Sequence, residues 1–270
     1  MCDNAAQAKL RENVVVLSNA EIAPGVWMIK LEAPETAAVL QPGQFVHLFI
    51  DEKLTLRRPF SVCRVDGRAI FIMYAIVGKG TQLLTTKEVG DTSMDVIAPC
   101  GNRWPLPKPG SKSLLVGGGL GAAPLGLFAH ELFEKGIDFH FIQAARNVDL
   151  VIGRGFHDDS WRSISYATDD GTLGYKGLIT DPVREKLASE EFSTVYVCGP
   201  EVMQRAVVEV CKEFDVEVYV SLERLMACGI GACLSCNVLT KNGPKKVCVD
   251  GPIFNAHDLE FSDVAQSSIH

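Results

Sequence analysis

The sequence has 270 residues, of which 47% are hydrophobic and 22% are charged, as in an ordinary globular protein. Its net charge of -7 argues against nucleic acid or an anionic membrane as a partner, because binding phosphate groups needs concentrated Lys and Arg. The N-terminus lacks the pattern of a secretory signal, and the uncharged runs are too short to span a bilayer. We therefore expect a cytoplasmic protein.

The first third of the chain predicts antiparallel β-structure. Short β-branched and aromatic segments, such as "GVWMIKLEA", "QFVHLFI" and "AIFIMYAIV", are separated by Gly and Pro. Short strands with regular turn signals are typical of a barrel or sandwich. The stretch "CGNRWPLPKPGS" then provides a linker rich in Pro and Gly. We expect an antiparallel β-barrel domain over residues 1–107.

The middle of the chain predicts a doubly wound α/β domain. The strand "SLLV" leads through a glycine cluster into the helical pattern "PLGLFAHELFEKG", and the strand "DFHFIQA" follows. Further on, "TVYVCG" and "PEVMQRAVVEVCKEF" repeat the order of strand and helix. Such alternation indicates a parallel sheet with helices on its faces. We place this domain at residues 108–220 and a small, loop-rich domain at residues 221–270.

Four cysteines near the C-terminus predict a metal centre. They stand in C-x4-C-x2-C-x11-C order and are Cys228, Cys233, Cys236 and Cys248. The first three spacings match the plant-type run that holds a [2Fe-2S] cluster. Gly229 and Gly231 would let the backbone wrap closely around two irons. Structural zinc is the alternative, but a zinc site usually has two C-x2-C pairs and this segment has one.

The segment "RRPFSV" resembles the Arg-x-aromatic-Ser motif of the ferredoxin reductase family. The resemblance implies that Arg58 binds the pyrophosphate of FAD, and a planar guanidinium suits that group. It also implies that Phe60 and Ser61 lie along the isoalloxazine ring. The later segment "MYAIVGKGT" offers donors to a second phosphate. The candidate FAD-binding residues are Arg58, Pro59, Phe60, Ser61, Met73, Tyr74, Ala75, Gly80 and Thr81.

The segment "VGGGLGAAPL" follows a strand and opens a helix, where backbone amides can approach a pyrophosphate. Its spacing fits G-x-G-x-x-G only in part, and a tight strand-to-helix turn needs glycine for its own reasons. The motif "CGP" resembles that of ferredoxin reductases, which implies a catalytic position for Cys198 beside the nicotinamide and the flavin. The candidate NAD-binding residues are Gly117, Gly118, Gly119, Gly121, Gly199 and Pro200, and we favour NAD over NADP.

Taken together these motifs, and above all "ERLMACGIGACLSC" with "KVCVDGPIF", resemble the electron-transfer subunits of bacterial class 1B dihydroorotate dehydrogenases. The resemblance implies an NAD-dependent oxidoreductase subunit of pyrimidine biosynthesis. Its partner would be an FMN-containing catalytic subunit that oxidises dihydroorotate, with two copies of each subunit in a heterotetramer. Electrons would pass from that subunit through [2Fe-2S] and FAD to NAD.

Two other functions stay open. Related NAD(P)-linked flavin and iron-sulfur reductases have the same order of cofactors but serve different partners. In the bifurcating relatives an aspartate often replaces one cluster cysteine, whereas all four positions are cysteine here. A non-enzymatic redox-sensing module is the other alternative, and it would not need intact flavin and glycine motifs.

Overall fold

The computed structural model describes residues 8–152 and 163–260. The first half is an antiparallel sheet with two short helices, α1 (Pro34–Val39) and α2 (Lys79–Leu84). The strands are β1 (Leu10–Ala23), β2 (Val26–Glu32), β3 (Phe45–Phe49), β4 (Arg58–Ser61), β5 (Arg64–Asp66), β6 (Ala69–Ala75) and β7 (Met94–Cys100). Their order in the sheet is β4-β3-β7-β1-β2-β6-β5. This arrangement confirms the predicted β-barrel.

Alternation along the strands separates a core face from an outer face. Alternate β-branched and aliphatic side chains fill the barrel core; they include Val14, Val16, Ile29, Leu31, Val46, Leu48, Ile70 and Ile72. On β3, Val46 and Leu48 therefore point inward, while Phe45 packs with residues of the C-terminal segment. His47 shares the outer face with Phe45, and it is fully buried there. The outer face of β3 is thus covered by the C-terminal part of the chain.

The second half is an α/β unit, as predicted. Its strands are β8 (Ser113–Gly118), β9 (Phe139–Ala145), β10 (Ile164–Thr168), β11 (Tyr175–Lys176), β12 (Thr194–Cys198) and β13 (Glu217–Ser221). The main helices are α3 (Ala122–Glu134), α4 (Thr180–Ser189) and α5 (Glu201–Lys212). These strands are parallel and lie in the order β11-β10-β9-β8-β12-β13. The order reverses between β8 and β12, and ligands of such sheets bind at the carboxyl ends of the strands at that point.

The C-terminal segment forms a hairpin and then returns to the second sheet. The hairpin consists of β14 (Asn237–Thr240) and β15 (Gly243–Lys246). The final strand, β16 (Ile253–Asn255), pairs antiparallel with β13. Within the described residues, no helix is long and apolar enough to cross a membrane.

The linker between the two halves is fixed by an aromatic cluster. Trp104 is fully buried, and its ring stacks on Phe128 of α3 with a centroid distance of 5.9 Å. Its edge-to-face contact with Tyr196 of β12 has a centroid distance of 5.6 Å. The Tyr196 hydroxyl donates a hydrogen bond of 2.8 Å to the carbonyl oxygen of Pro105. The linker is therefore part of the core and holds the barrel against the second sheet.

Asn102, in the same linker, is bonded to the segment that follows the last cysteine of the cluster motif. Its Nδ2 donates to the carbonyl oxygens of Asp250 at 2.9 Å and Ile253 at 2.8 Å. Its Oδ1 accepts a hydrogen bond of 3.0 Å from the Ile253 amide. One side chain thus joins the end of the barrel to the start of β16.

Replacement of Asn102 by Ala should lower the free energy of unfolding by roughly 2 kcal/mol, because three hydrogen bonds are lost and their partners are partly buried. Urea titration followed by tryptophan fluorescence measures the change. Asn242→Ala is the matched control, since Asn242 is exposed in the turn of the β14–β15 hairpin. Equal effects of the two substitutions would contradict this role of Asn102.

Candidate functional site

Arg58 and Gly80, both predicted to bind FAD phosphates, lie side by side. Arg58 begins β4, and its Nη1 donates to the carbonyl oxygen of Leu56 at 2.6 Å. A Cβ on Gly80 would stand only 2.9 Å from Nε of Arg58, so the side chain lies closely across the first turn of α2. A guanidinium beside the free amides of a helix start is a suitable site for a pyrophosphate.

Thr81 shapes the turn that precedes α2. Its hydroxyl oxygen accepts hydrogen bonds from the amides of Val77 at 2.9 Å and Gly78 at 3.2 Å. The same hydroxyl donates to the carbonyl oxygen of Gly78 at 3.1 Å. Because its one proton is already used, the hydroxyl of Thr81 is not a phosphate donor in this conformation. The backbone amides of the first helical turn are the remaining donors of this segment.

Strand β6 divides its three candidate residues between two faces. Tyr74 points into the barrel, where its hydroxyl donates to Oδ1 of Asn19 at 2.9 Å and its ring meets Phe60 edge to face. Burial raises the pKa of Tyr74 to about 12. Met73 points the other way, into the apolar contact between the barrel and the second sheet, and Ala75 follows on that face. The backbone of Tyr74, rather than its side chain, is therefore available to contact a cofactor.

Phe60 and Ser61, which continue β4 after Pro59, are half-buried at the barrel surface. Phe60 is paired in register with Val46 and Ser61 with Phe45 of β3. The structure therefore places the predicted Arg-x-aromatic-Ser residues on one edge strand of the sheet, next to β3.

The glycine run that begins at the end of β8 is required mainly by packing. A Cβ on Gly117 would lie 2.8 Å from Cα of Ala122, and one on Gly118 would overlap Sδ of Met203. A Cβ on Gly121 would overlap the carbonyl oxygen of Cys198. Gly119 differs from these, because it has a φ of 54° and open space where a side chain would stand. The backbone of Gly119 is therefore the part of the glycine run that a ligand can approach.

Cys198 ends β12 at the level of Gly117 on β8 and Ser221 on β13. Burial raises the pKa of its thiol to about 12, and the carboxylate of Glu223 raises it further, so the thiol is neutral at pH 7. Gly199 and Pro200 connect β12 to the start of α5. The predicted Cys-Gly-Pro motif and the glycine run therefore meet at the carboxyl edge of the second sheet.

The four cluster cysteines differ in exposure. Cys236 and Cys248 are buried, Cys228 is half-buried and Cys233 is exposed. The amide of Cys233 donates to Sγ of Cys228 at 3.4 Å. Among the described residues, no three His, Cys, Asp or Glu side chains converge as ligands of a single metal ion. The donor set itself, four cysteines with the first three in C-x4-C-x2-C order, matches the plant-type run of a [2Fe-2S] cluster, whereas a structural zinc site usually has two C-x2-C pairs.

The surroundings of two thiols of this loop shift their pKa values in opposite directions. The hydroxyl and amide of Ser235 lower the pKa of Cys233 to about 6, and the hydroxyl lies 3.2 Å from its Sγ. Burial raises the pKa of Cys248 to about 12, with a further contribution from its hydrogen bond to Cys236. Cys233 therefore loses its proton more readily than Cys248.

Three residues of the loop have a left-handed backbone conformation. Gly229, Gly231 and Leu234 have φ values of 68°, 85° and 61°. Successive amides in such turns point inward and can donate to sulfur. The predicted reason for the two glycines thus agrees with the local geometry, and Leu234 adopts the same conformation at an energetic cost.

Three residues of the barrel contact this loop, and the sequence gives no spacing that marks them. Lys9 Nζ donates to the carbonyl oxygens of Gly229 at 2.6 Å and Cys248 at 3.2 Å. Sγ of Cys100 lies 3.6 Å from the Gly229 carbonyl oxygen and 3.4 Å from that of Ile97. His47 packs so closely that a Cβ on Gly229 would overlap its Nδ1. Within the described ranges, neither ring nitrogen of His47 has a hydrogen-bond partner, and burial lowers its pKa to about 4.

Comparison with known proteins agrees with this geometry. The family model for the iron-sulfur cluster binding domain of dihydroorotate dehydrogenase B matches residues 223–260, and that for the oxidoreductase NAD-binding domain matches residues 115–209. The dihydroorotate dehydrogenase B (NAD(+)) electron transfer subunit of Clostridium perfringens is 36% identical over 264 residues, covering 94% of this chain and 98% of the relative. The subunit of the same name from Bacillus velezensis is 37% identical, covering 92% and 98%.

The chain belongs to the family of dihydroorotate dehydrogenase B electron transfer subunits. A solved structure from work on flavin-based electron bifurcation, an NADH-dependent reduced ferredoxin-NADP oxidoreductase, is also similar. It has a TM-score of 0.88 and 30% identity, with 97% of this chain and 94% of that chain covered. Members of this family combine an iron-sulfur domain and an NAD-binding domain in a flavin reductase fold, and the cofactors of this chain are [2Fe-2S], NAD and FAD.

Gly229→Ala should strongly reduce the iron content of this family member, because the new methyl group would overlap His47 and the residue has a positive φ. Iron and sulfide assays on the purified chain measure the loss. Gly243→Ala is the matched control, since Gly243 has a φ of 92° but open space around it. Equal iron loss in both variants would refute the steric explanation, and His47→Ala in the Gly229→Ala background should restore part of the iron.

Arg58→Ala should weaken FAD binding roughly ten- to a hundredfold, the range expected when a charge-assisted hydrogen bond to phosphate is lost. Fluorescence titration of the FAD-depleted chain gives the dissociation constant. Arg58→Lys should bind with intermediate affinity, because an ammonium keeps the charge but not the planar fork. Arg68→Ala, at an exposed turn of the barrel, is the control. Unchanged FAD affinity in Arg58→Ala would remove Arg58 from the proposed site.

Proposed function

We propose that this chain carries electrons from an FMN-containing, dihydroorotate-oxidising catalytic subunit to NAD, through a [2Fe-2S] cluster and FAD. The observation that carries the proposal is the contact of the cysteine loop with β3. His47 of β3 meets Gly229 of the loop on one side and is paired in register with Pro59 of β4 on the other. A single strand therefore separates the proposed cluster ligands from the proposed flavin-binding residues, which is a short path for an electron.

When bound, FAD exchanges single electrons with the cluster and a hydride with NAD. The chain's own residues supply binding and orientation. We assign Cys228, Cys233, Cys236 and Cys248 as the cluster ligands. Arg58 and the first-turn amides of α2 hold the phosphates of FAD, and the backbone at Gly119 approaches the pyrophosphate of NAD. The buried, neutral thiol of Cys198 would lie beside the nicotinamide of bound NAD without competing as a nucleophile.

The exposed side of the cysteine loop is the proposed docking face for the catalytic subunit. Ile230 and Leu234 are 54% and 59% exposed on either side of Cys233, which is itself exposed. Apolar side chains in water beside a redox centre favour an interface that excludes solvent. The buried pair Cys236 and Cys248 is turned toward the chain's own core. Electrons would thus enter at the exposed end of the cluster and leave toward the flavin.

Two further proposals concern the setting of this reaction. The resemblance to class 1B enzymes supports an assembly with two copies of each subunit. Within the described part of the chain the cysteines are free thiols, which suits the reducing conditions of the cytoplasm. We place the complex there, where NAD is available as a diffusible substrate.

A reductase that serves a different electron partner is the second candidate. The similarity to the NADH-dependent ferredoxin-NADP oxidoreductase structure, at 30% identity over 97% of this chain, supports it. The relatives named as dihydroorotate dehydrogenase B subunits, at 36% and 37% identity, support the first candidate.

Anaerobic absorbance of the complex purified from its source cell distinguishes the two candidates. Dihydroorotate should bleach the flavin and cluster bands, and NAD should restore them. In a complex that carries Cys233→Ser, NADH should still reduce FAD, while iron content and electron transfer from dihydroorotate should fall strongly. If NADH bleaches the flavin and cluster bands of the native complex but dihydroorotate does not, the chain serves another partner. Full iron content in Cys233→Ser would contradict the ligand assignment.

A further inference from the structure

Lys9 connects the two ends of the proposed ligand set. Its ammonium group donates to the carbonyl oxygen of Gly229, the residue after Cys228, and to the carbonyl oxygen of Cys248 itself. The two distances are 2.6 Å and 3.2 Å. Cys228 is the first cysteine of the motif and Cys248 is the last. One side chain from outside the cysteine segment therefore links the backbone at both ends of the motif.

The position of Lys9 brings a positive charge to the inner side of the loop. The ammonium group is partly buried, and both of these hydrogen bonds go to uncharged carbonyl groups. The bonds therefore orient the charge without neutralising it. A charge at a partly buried position is screened less by water than one at the surface, so its effect on nearby groups is larger.

A nearby cation changes the reduction potential of an iron-sulfur cluster. Reduction adds one electron and one negative charge to the cluster, so an adjacent positive charge stabilises the reduced state more than the oxidised state. Local charge and hydrogen bonding are among the factors that set these potentials. Removing the charge should therefore shift the potential to a more negative value.

We propose that Lys9 is a positioning residue of the iron-sulfur site, which ties the loop of the first ligand to the last ligand and raises the reduction potential of the cluster. The inference rests on the proposed ligand set. It goes beyond that set because Lys9 is not a ligand and lies at the opposite end of the sequence.

Because other contacts also hold Gly229 on the barrel, the effect of the Lys9 charge can be tested separately from the placement of the cysteine loop. Sγ of Cys100 also contacts the Gly229 carbonyl oxygen, and His47 packs against the same glycine. Neither contact involves Lys9, so the loop has other anchors on the barrel. A neutral residue at position 9 that can still donate a hydrogen bond should therefore alter the potential more than the iron content.

The test compares Lys9→Gln and Lys9→Arg in the full chain loaded with its cofactors. The cluster potential is read from the low-temperature EPR signal of the reduced cluster during an anaerobic dithionite titration. Lys9→Gln should shift the potential to a more negative value, and Lys9→Arg should stay near the native value. Lys30→Gln is the control for net charge, because Lys30 lies on β2 over the ring of Phe71.

Three results would overturn the role of Lys9: an unchanged potential in Lys9→Gln, an equal shift in Lys9→Arg, or the same shift in Lys30→Gln. If Lys9→Gln loses its iron, retention in Lys9→Arg supports the role, and equal loss in both variants overturns it. Absence of a [2Fe-2S] signal in the native chain would instead be a failure of the proposed function. Iron content measured on every sample separates these two kinds of failure.

Discussion

The fixed contact between Gly229 and the outer face of the barrel is the constraint on which the arrangement of the redox sites depends. The positive φ of Gly229 and the buried ring of His47 leave no space for a side chain there. Lys9 and Cys100 hold the carbonyl group of the same residue. Because both β3 and the cysteine loop are fixed by these contacts, the separation between the proposed cluster and flavin sites is set by packing and does not depend on a flexible linker.

The sequence predicted those features whose signals lie close together along the chain. The cysteine loop could be predicted because three proposed ligands and both glycines fall within Cys228 to Cys236. The alternation of strands and helices predicted the second sheet for the same reason. The break between β4 and β5, in contrast, has a long-range cause, because β4 pairs with β3 whereas β5 pairs with β6. The six-residue helices α1 and α2 are too short to show a helical period.

Long-range contacts account for what the sequence could not show. The glycine run that begins at the end of β8 fits a nucleotide loop, yet Gly118 and Gly121 are needed because Met203 and Cys198 approach them from distant parts of the chain. Tyr74 was predicted from its place in a motif, and its side chain is used by the barrel core. Lys9 and His47 have no distinctive spacing, because their importance arises only when the cysteine loop is placed on β3. Single residues of this kind become visible only in three dimensions.

The span of the Lys9 contact also determines when the site can be completed during synthesis. Lys9 and Gly229 are 220 positions apart, and Asn102 is 151 positions from Ile253. Domains generally fold as units from the N-terminus while the chain is being made. The barrel and most of the second sheet can therefore form while the cysteine segment is still inside the ribosome. The cysteine loop can therefore take its final place only after β3 and the other barrel residues that contact it have been synthesised.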